Sequence, residues 1–379
     1  MFLVVIKFLP LVIFGLIFLF GGHYFIYRSL VDIFNIANPL LKVSLAVFFL
    51  IMSVGFFGAA FIAHASQNQL TRSIYIITAS WLGLAINLLL AALLTKLAVW
   101  LANLTGLNFD LQLVGAVIFF LALLWSAYGF WNAQHPQVKK MEVVIKNLPL
   151  SWQGKTVIQL SDIHLGHVHG VDFLQSIIEQ TNAHDPDLVL IVGDLFDGMD
   201  GDLSVFTKPL NSLKAKKGVF FVTGNHEAYV GLDKALAILR QTDIRVLSNE
   251  MVDVDGLQII GFSYPAGLDT SNIIGGSNNT ANIIASLGLD KNKPSISMHH
   301  APTDLSQARA AGIGLQLSGH THNGQIWPFN LITGFIYGRY DYGLNSEGDF
   351  SVYTTNGIGT WGPPMRTGNT PEIPVFKLR

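Results

Sequence analysis

Up to about residue 132 the chain consists of long apolar runs with few polar interruptions. Beyond it the apolar runs shorten to a few residues and alternate with polar, glycine-marked segments. Residues 2–20, 43–63, 74–95 and 113–131 form four runs close to the roughly 20 residues that span a bilayer. None of them presents a polar face, which favours four N-terminal transmembrane helices over buried helices of a soluble domain. Lys7 is the only charge in the first run and no small-x-small pattern follows Phe20, so this run reads as an uncleaved helix rather than a signal peptide. The pattern divides the chain into a transmembrane domain over 1–132, a polar, proline-marked linker over 133–140 and a soluble domain over 141–379.

In the soluble half, strands are expected at 155–160, 188–192, 218–222, 257–262, 295–298, 315–317, 350–354 and 373–378. Helices are expected at 171–182, 202–215 and 232–240, and the Asn-, Gly- and Ser-rich stretch 272–282 reads as a surface loop. Run 188–192 is almost wholly apolar, which implies burial on both faces. Strand–helix alternation followed by further strands predicts an α/β fold, a layered domain of two packed β-sheets flanked by helices.

Composition sharpens this picture. Half of the 379 residues are hydrophobic and only 13% are charged, with a mean hydropathy of +0.44, values that call for membrane segments. The net charge of −2 supplies no basic field, so no nucleic-acid partner is expected. Cysteine is absent, which excludes thiolate metal sites, disulfides and thiol nucleophiles.

Five clusters of acidic, histidine and asparagine residues follow one another along the soluble half. They are Asp162-Ile163-His164, Gly193-Asp194-Leu195-Phe196-Asp197, Gly224-Asn225-His226-Glu227, His299-His300 and Gly319-His320-Thr321-His322. Each lies where a predicted strand ends, which is where α/β folds present their chemistry. A carboxylate directly after the buried run 188–192 is costly unless a cation or donor meets it. Period-two spacing puts Asp162 and His164, and likewise His320 and His322, on one side of the chain. Together the clusters hold enough hard oxygen and imidazole ligands for two divalent metals and one imidazole besides. His167 and His169, in the loop after the first cluster, read as rim residues.

These residues carry a resemblance to the calcineurin-like metallophosphoesterase family, whose motifs are D-x-H, G-D-x-x-D, G-N-H-[ED], a histidine ending a strand, and G-H-x-H. All five are present in order, and residues 357–372 resemble the membrane-linked bacterial branch of that family. One departure is Asn323, where that branch often has glycine. The resemblance implies that Asp162, His164 and His322 bind a first metal, that Asn225, His300 and His320 bind a second, and that Asp194 bridges both. The family's His-x-Pro pattern selects His300 over His299. The resemblance also implies that His226 is a general acid facing the substrate phosphate and that Asp197 orients it. Carboxylate, amide and imidazole ligands suit manganese, with Fe, Zn, Ni or Co as alternatives.

The expected function is that of a membrane-anchored binuclear phosphoesterase, cleaving phosphodiester or pyrophosphate bonds of a lipid-linked substrate. A hydroxide bridging two cations attacks phosphorus and His226 protonates the leaving oxygen. The competing reading is a membrane sensor or carrier regulated by a metal-binding domain, for which Lys7 and Lys96 are the intramembrane charges available. Lys139 and Lys140 after the last run, and Arg72 between the second and third, favour a cytoplasmic catalytic domain on a multi-pass protein of the bacterial inner membrane.

Overall fold

The structure, a computed structural model, describes residues 15–65, 68–198, 202–264 and 278–379. The chain divides into two compact units, Met1–Phe130 with Gly362–Met365, and Trp131–Trp361 with Arg366–Arg379.

In the first unit a π-helical turn, Ile17–Gly21, leads into α1 (Gly22–Ile33), α2 (Pro39–Ala65), α3 (Gln69–Thr105) and α4 (Leu111–Ala133). Asn68 caps α3 by accepting from the backbone N–H groups of Leu70 and Thr71, and the helix stops at left-handed Gly106. Among the described residues three helices, not four, are long and apolar enough to cross a membrane: α2, α3 and α4. The expected first span, 2–20, lies mostly outside the described residues. Lys96, one of the charges a carrier would use, is paired with Asp32 at 3.5 Å.

The second unit is the expected α/β sandwich. Along the chain run β1 (Gln137–Val143), β2 (Thr156–Leu160), α5 (Val171–Asn182), β3 (Leu188–Val192), α6 (Thr207–Leu210), β4 (Val219–Val222), α7 (Asn225–Val230), α8 (Leu232–Leu239) and β5 (Arg245–Val246). There follow β6 (Glu250–Val254), β7 (Leu257–Gly261), α9 (Asn278–Ser286), β8 (Ser295–Met298), α10 (Leu305–Ala310) and β9 (Leu315–Ser318). The last elements are α11 (Asn330–Tyr337), β10 (Gly343–Glu347), β11 (Phe350–Thr354) and β12 (Glu372–Leu378). One six-stranded sheet has the order β1-β12-β2-β3-β4-β5 and the other β10-β11-β9-β8-β7-β6.

The alternation along β3 explains the layering. Leu188, Leu190 and Val192 join Val157, Val222, Ile259, Ile296 and Leu317 in the core shared by both sheets. Val189 and Ile191 point the other way, into a second core with Leu174 and Ile177 of α5 and Leu239 of α8. Two expectations are corrected. Instead of a helix over 202–215 there is a 3-10 turn, Leu203–Phe206, followed by the one-turn α6. The stretch 272–282 is not all loop: α9 starts at Asn278, and 272–277 lie outside the described residues.

Candidate metal centre

Strands β2, β3 and β4 are neighbours in parallel, as are β8 and β9 in the other sheet. The five clusters follow the ends of these strands. At the ends of β2, β3 and β9 the chain makes left-handed turns: φ is +53° at both Asp162 and His164, +50° at Asp194, +71° at His320 and +48° at His322. Such torsions cost about 1 kcal/mol or more per non-glycine residue and persist only where their surroundings enforce them. Asn323 continues the series at φ +43°, a conformation that asparagine tolerates.

The turns bring the side chains into three overlapping groups, Asp162–His164–His322, His164–Asp194–His226 and Asp194–His300–His320. Within each group, one potential ligand atom from every residue lies within 4.8 Å of the others. The Nε2 atoms of His164 and His322 are 3.0 Å apart, and Asp162 Oδ1 lies 3.3 Å from His322 Nε2. On the other side His300 Nε2 approaches Asp194 Oδ2 at 3.1 Å, while its Nδ1 bonds the Val192 carbonyl at 2.8 Å. Asn225 Oδ1 is buried without a hydrogen-bond partner. Converging ring nitrogens and an orphaned amide oxygen are what a cation would satisfy and a water-free protein interior would not.

The backbone approach is close. A Cβ on Gly224 would fall 2.2 Å from Asp194 Oδ1, and one on Gly319 would fall 2.1 Å from Asp162 Oδ2. Glu227 is fully buried and gathers the N–H groups of Gly224, Asp194, Leu195 and Phe196, tying the second cluster to the third. Burial, reinforced by the Asp194 carboxylate, pushes its pKa up to about 7. Burial would raise Asp194 too, but His300 and His226 beside it prevail and hold it well below the usual carboxylate range.

His226 is only half-buried, with Tyr229 and Trp361 beside it at ring distances of 5.0 and 6.5 Å. Burial lowers its pKa, but Asp194 and Asp197 outweigh this and leave it raised. Asp197 meets His226 through its main-chain carbonyl, which accepts from Nδ1 at 2.7 Å. Its carboxylate instead lies 3.4 Å from His164 Nδ1. Sequence did not reveal this split, because nothing in a residue type tells a carbonyl from a side chain.

His299 is turned away, edge-on to Phe262 and 3.9 Å from Asp304. His167 and His169 are buried rather than on a rim, and His169 Nε2 accepts from the Thr360 N–H at 2.9 Å. Arg366 is fully buried and donates to the carbonyls of Asn356 and Gly359 and to His322 Nδ1. Its place in the sequence, some 40 residues past the last cluster, gave no sign of that contact.

Comparison with known proteins agrees with this geometry. Residues 155–324 match the family model of calcineurin-like phosphoesterases. An uncharacterized metallophosphoesterase of Campylobacter jejuni is 34% identical over 281 residues, covering 72% of this chain and 70% of its own. A transmembrane protein with metallophosphoesterase domain from Bos taurus is 33% identical over 284 residues, covering 71% of this chain and 63% of its own. Its Danio rerio counterpart is 32% identical over 284 residues, covering 68% and 62%. The span matched by the family model takes in Asp162, Asp194, Asn225 and the five histidines of the three groups. The chain therefore belongs to the calcineurin-like phosphoesterase family, and so among the metal-dependent hydrolases of phosphate esters.

Proposed function

We propose that the chain is a membrane-anchored hydrolase of phosphodiester or pyrophosphate bonds that works with two divalent cations. Asp162, His164 and His322 hold one, Asn225, His300 and His320 the other, and Asp194 stands between them. The observation that carries this reading is the convergence of these groups on Asp194, which takes part in two of the three ligand groups. Oxygen and imidazole donors without thiolate suit manganese, with Fe, Zn, Ni or Co also compatible. Bound cations supply Lewis acidity toward the phosphate oxygens and acidify a water nucleophile.

The remaining work falls to the chain. With Nδ1 engaged by the Asp197 carbonyl, His226 keeps Nε2 free to pass a proton to the departing oxygen. Its raised pKa favours the protonated form needed for that role. Asp197 acts as a positioning residue, for His226 through the carbonyl and for His164 through the carboxylate. The apolar helices favour a substrate that is itself held in the membrane. The positions of Arg72, Lys139 and Lys140 support a catalytic domain on the cytoplasmic side of a bacterial inner membrane.

The test uses the full chain in lipid nanodiscs, loaded with manganese, and follows metal content and hydrolysis of bis(4-nitrophenyl) phosphate. Asp194→Ala is expected to lose both metal and activity, whereas His226→Ala keeps the metal and most of its rate on this ester, whose 4-nitrophenolate leaves without a proton. Undiminished hydrolysis by Asp194→Ala would remove the basis of the reading.

A further inference from the structure

We propose that α11 lies in the surface layer of a lipid bilayer and brings the metal centre to phosphate esters held there. This rests on the phosphoesterase reading and adds to it the element that meets the lipid. The helix is built inside out. None of its residues is buried, Phe335 is 90% exposed and Leu331 66%, and Ile332 and Ile336 are exposed beside them. Their i, i+1, i+4, i+5 spacing makes one apolar stripe, and the helix contains no charged residue.

One polar side chain of the same helix, that of Thr333, faces the domain. Thr333 Oγ1 donates to Asp341 Oδ2 at 3.0 Å. A helix on a water-facing surface carries the opposite arrangement. Asp341 also ties α11 to the metal loop, because its main-chain carbonyl accepts from Thr321 Oγ1 at 2.8 Å, between His320 and His322. The Tyr337 ring, at the end of α11, lies 6.3 Å from that of His320. The stripe is therefore built onto the loop that presents two of the site's histidines.

Two observations select lipid as the occupant. β1 begins directly after residues 134–136, which follow α4, a helix long and apolar enough to cross a membrane, so a bilayer is the apolar phase to which this domain is tethered. The stripe is also small. Four side chains on two turns suit shallow insertion at the headgroup boundary, whereas a stable protein interface engages roughly 20–30 residues a side. Trp327, exposed just before the helix, is of the residue type that settles at this boundary.

The chain has no cysteine, so a single introduced thiol can be labelled uniquely. Full-length Phe335→Cys, with Val205→Cys as the exposed control, is spin-labelled in nanodiscs of phosphatidylcholine and phosphatidylglycerol. Collision with oxygen is expected to exceed collision with a water-soluble nickel chelate at 335, and the reverse at 205. In a second arm Leu331→Ser/Phe335→Ser is compared with the parent on a 4-nitrophenyl phosphodiester of a lipid in the nanodisc and on soluble bis(4-nitrophenyl) phosphate. The ratio of the two rates is expected to fall at least tenfold. A water-exposed label at 335, a label shielded from both reagents by a second copy or another protein, or an unchanged ratio overturns the proposal. Failure of the parent on the soluble ester would instead count against the phosphoesterase reading, and label depth can still be read.

Discussion

Arg366 points its Nη2 at the Nδ1 of His322 across 3.1 Å, both groups buried. A guanidinium only donates, so this contact holds Nδ1 as an acceptor and leaves the exchangeable ring proton on Nε2, the atom aimed at the centre. A cation held there by the neutral ring needs the proton on Nδ1 instead, so loading must break the Arg366 contact. Arg366→Met removes that competing donor and a nearby positive charge, and it strands the carbonyls of Asn356 and Gly359. Metal affinity, read by calorimetry, is expected to rise, while thermal stability falls by roughly 3 kcal/mol. Unaltered or weakened affinity in that variant would falsify this competition.

His226 should control the alkaline limb of the rate profile. Its pKa is raised, so the protonated acid persists above the ordinary histidine range and is lost as pH climbs through the raised value. The rate should drop on that side. His226→Ala should abolish this limb and slow hydrolysis by about 10²–10⁴-fold for alkoxide leaving groups. The loss should be much smaller for 4-nitrophenolate, which departs without a proton. Equal losses for both leaving groups would argue against proton donation.

His169 should make the domain acid-sensitive. Burial, aided by Arg366, pushes its pKa down to about 3, so the folded chain holds it neutral while the unfolded chain protonates it near pH 6.5. The stability it lends is complete above about 6.5 and is lost as pH falls from there toward 3, at about 1.4 kcal/mol per unit. His169→Gln retains an acceptor for the Thr360 N–H and does not titrate. Its unfolding midpoint, followed by tryptophan fluorescence, should move to lower pH.

Gly319→Ala tests the close approach in the last cluster. The added methyl meets Asp162 Oδ2 and Ser161 Oγ at 2.1 and 2.2 Å, so one of these groups must move. On the ligand sets proposed above, metal analysis should show loss of one cation, with the other retained. Full occupancy would mean that the loop yields easily.

Much of this domain is legible in the sequence, for identifiable reasons. β3 and α5 have the bounds that apolar periodicity predicts, because one is buried on both faces and the other packs one stripe on a sheet. β1 is less legible. It pairs only with β12, at the sheet edge, and its two lysines break the alternation. α11 escapes for a different reason, since an outward apolar stripe looks in sequence like a short strand or nothing at all. The residues gathered at the centre are visible as types, whereas the partners of their supports are not. Glu227 acts on backbone N–H groups and Arg366 reaches back from beyond the last cluster, relationships that no local spacing encodes.

The left-handed torsions at Asp162, His164, Asp194, His320 and His322 set the vocabulary of change at the centre before coordination chemistry does. Branched residues such as valine, isoleucine and threonine are barred there by sterics, whereas asparagine, aspartate, histidine and glycine are admitted. Redesign for a different ion is thus confined to a small alphabet at five positions, and wider variation must come from Asn225, His300 and the outlying supports.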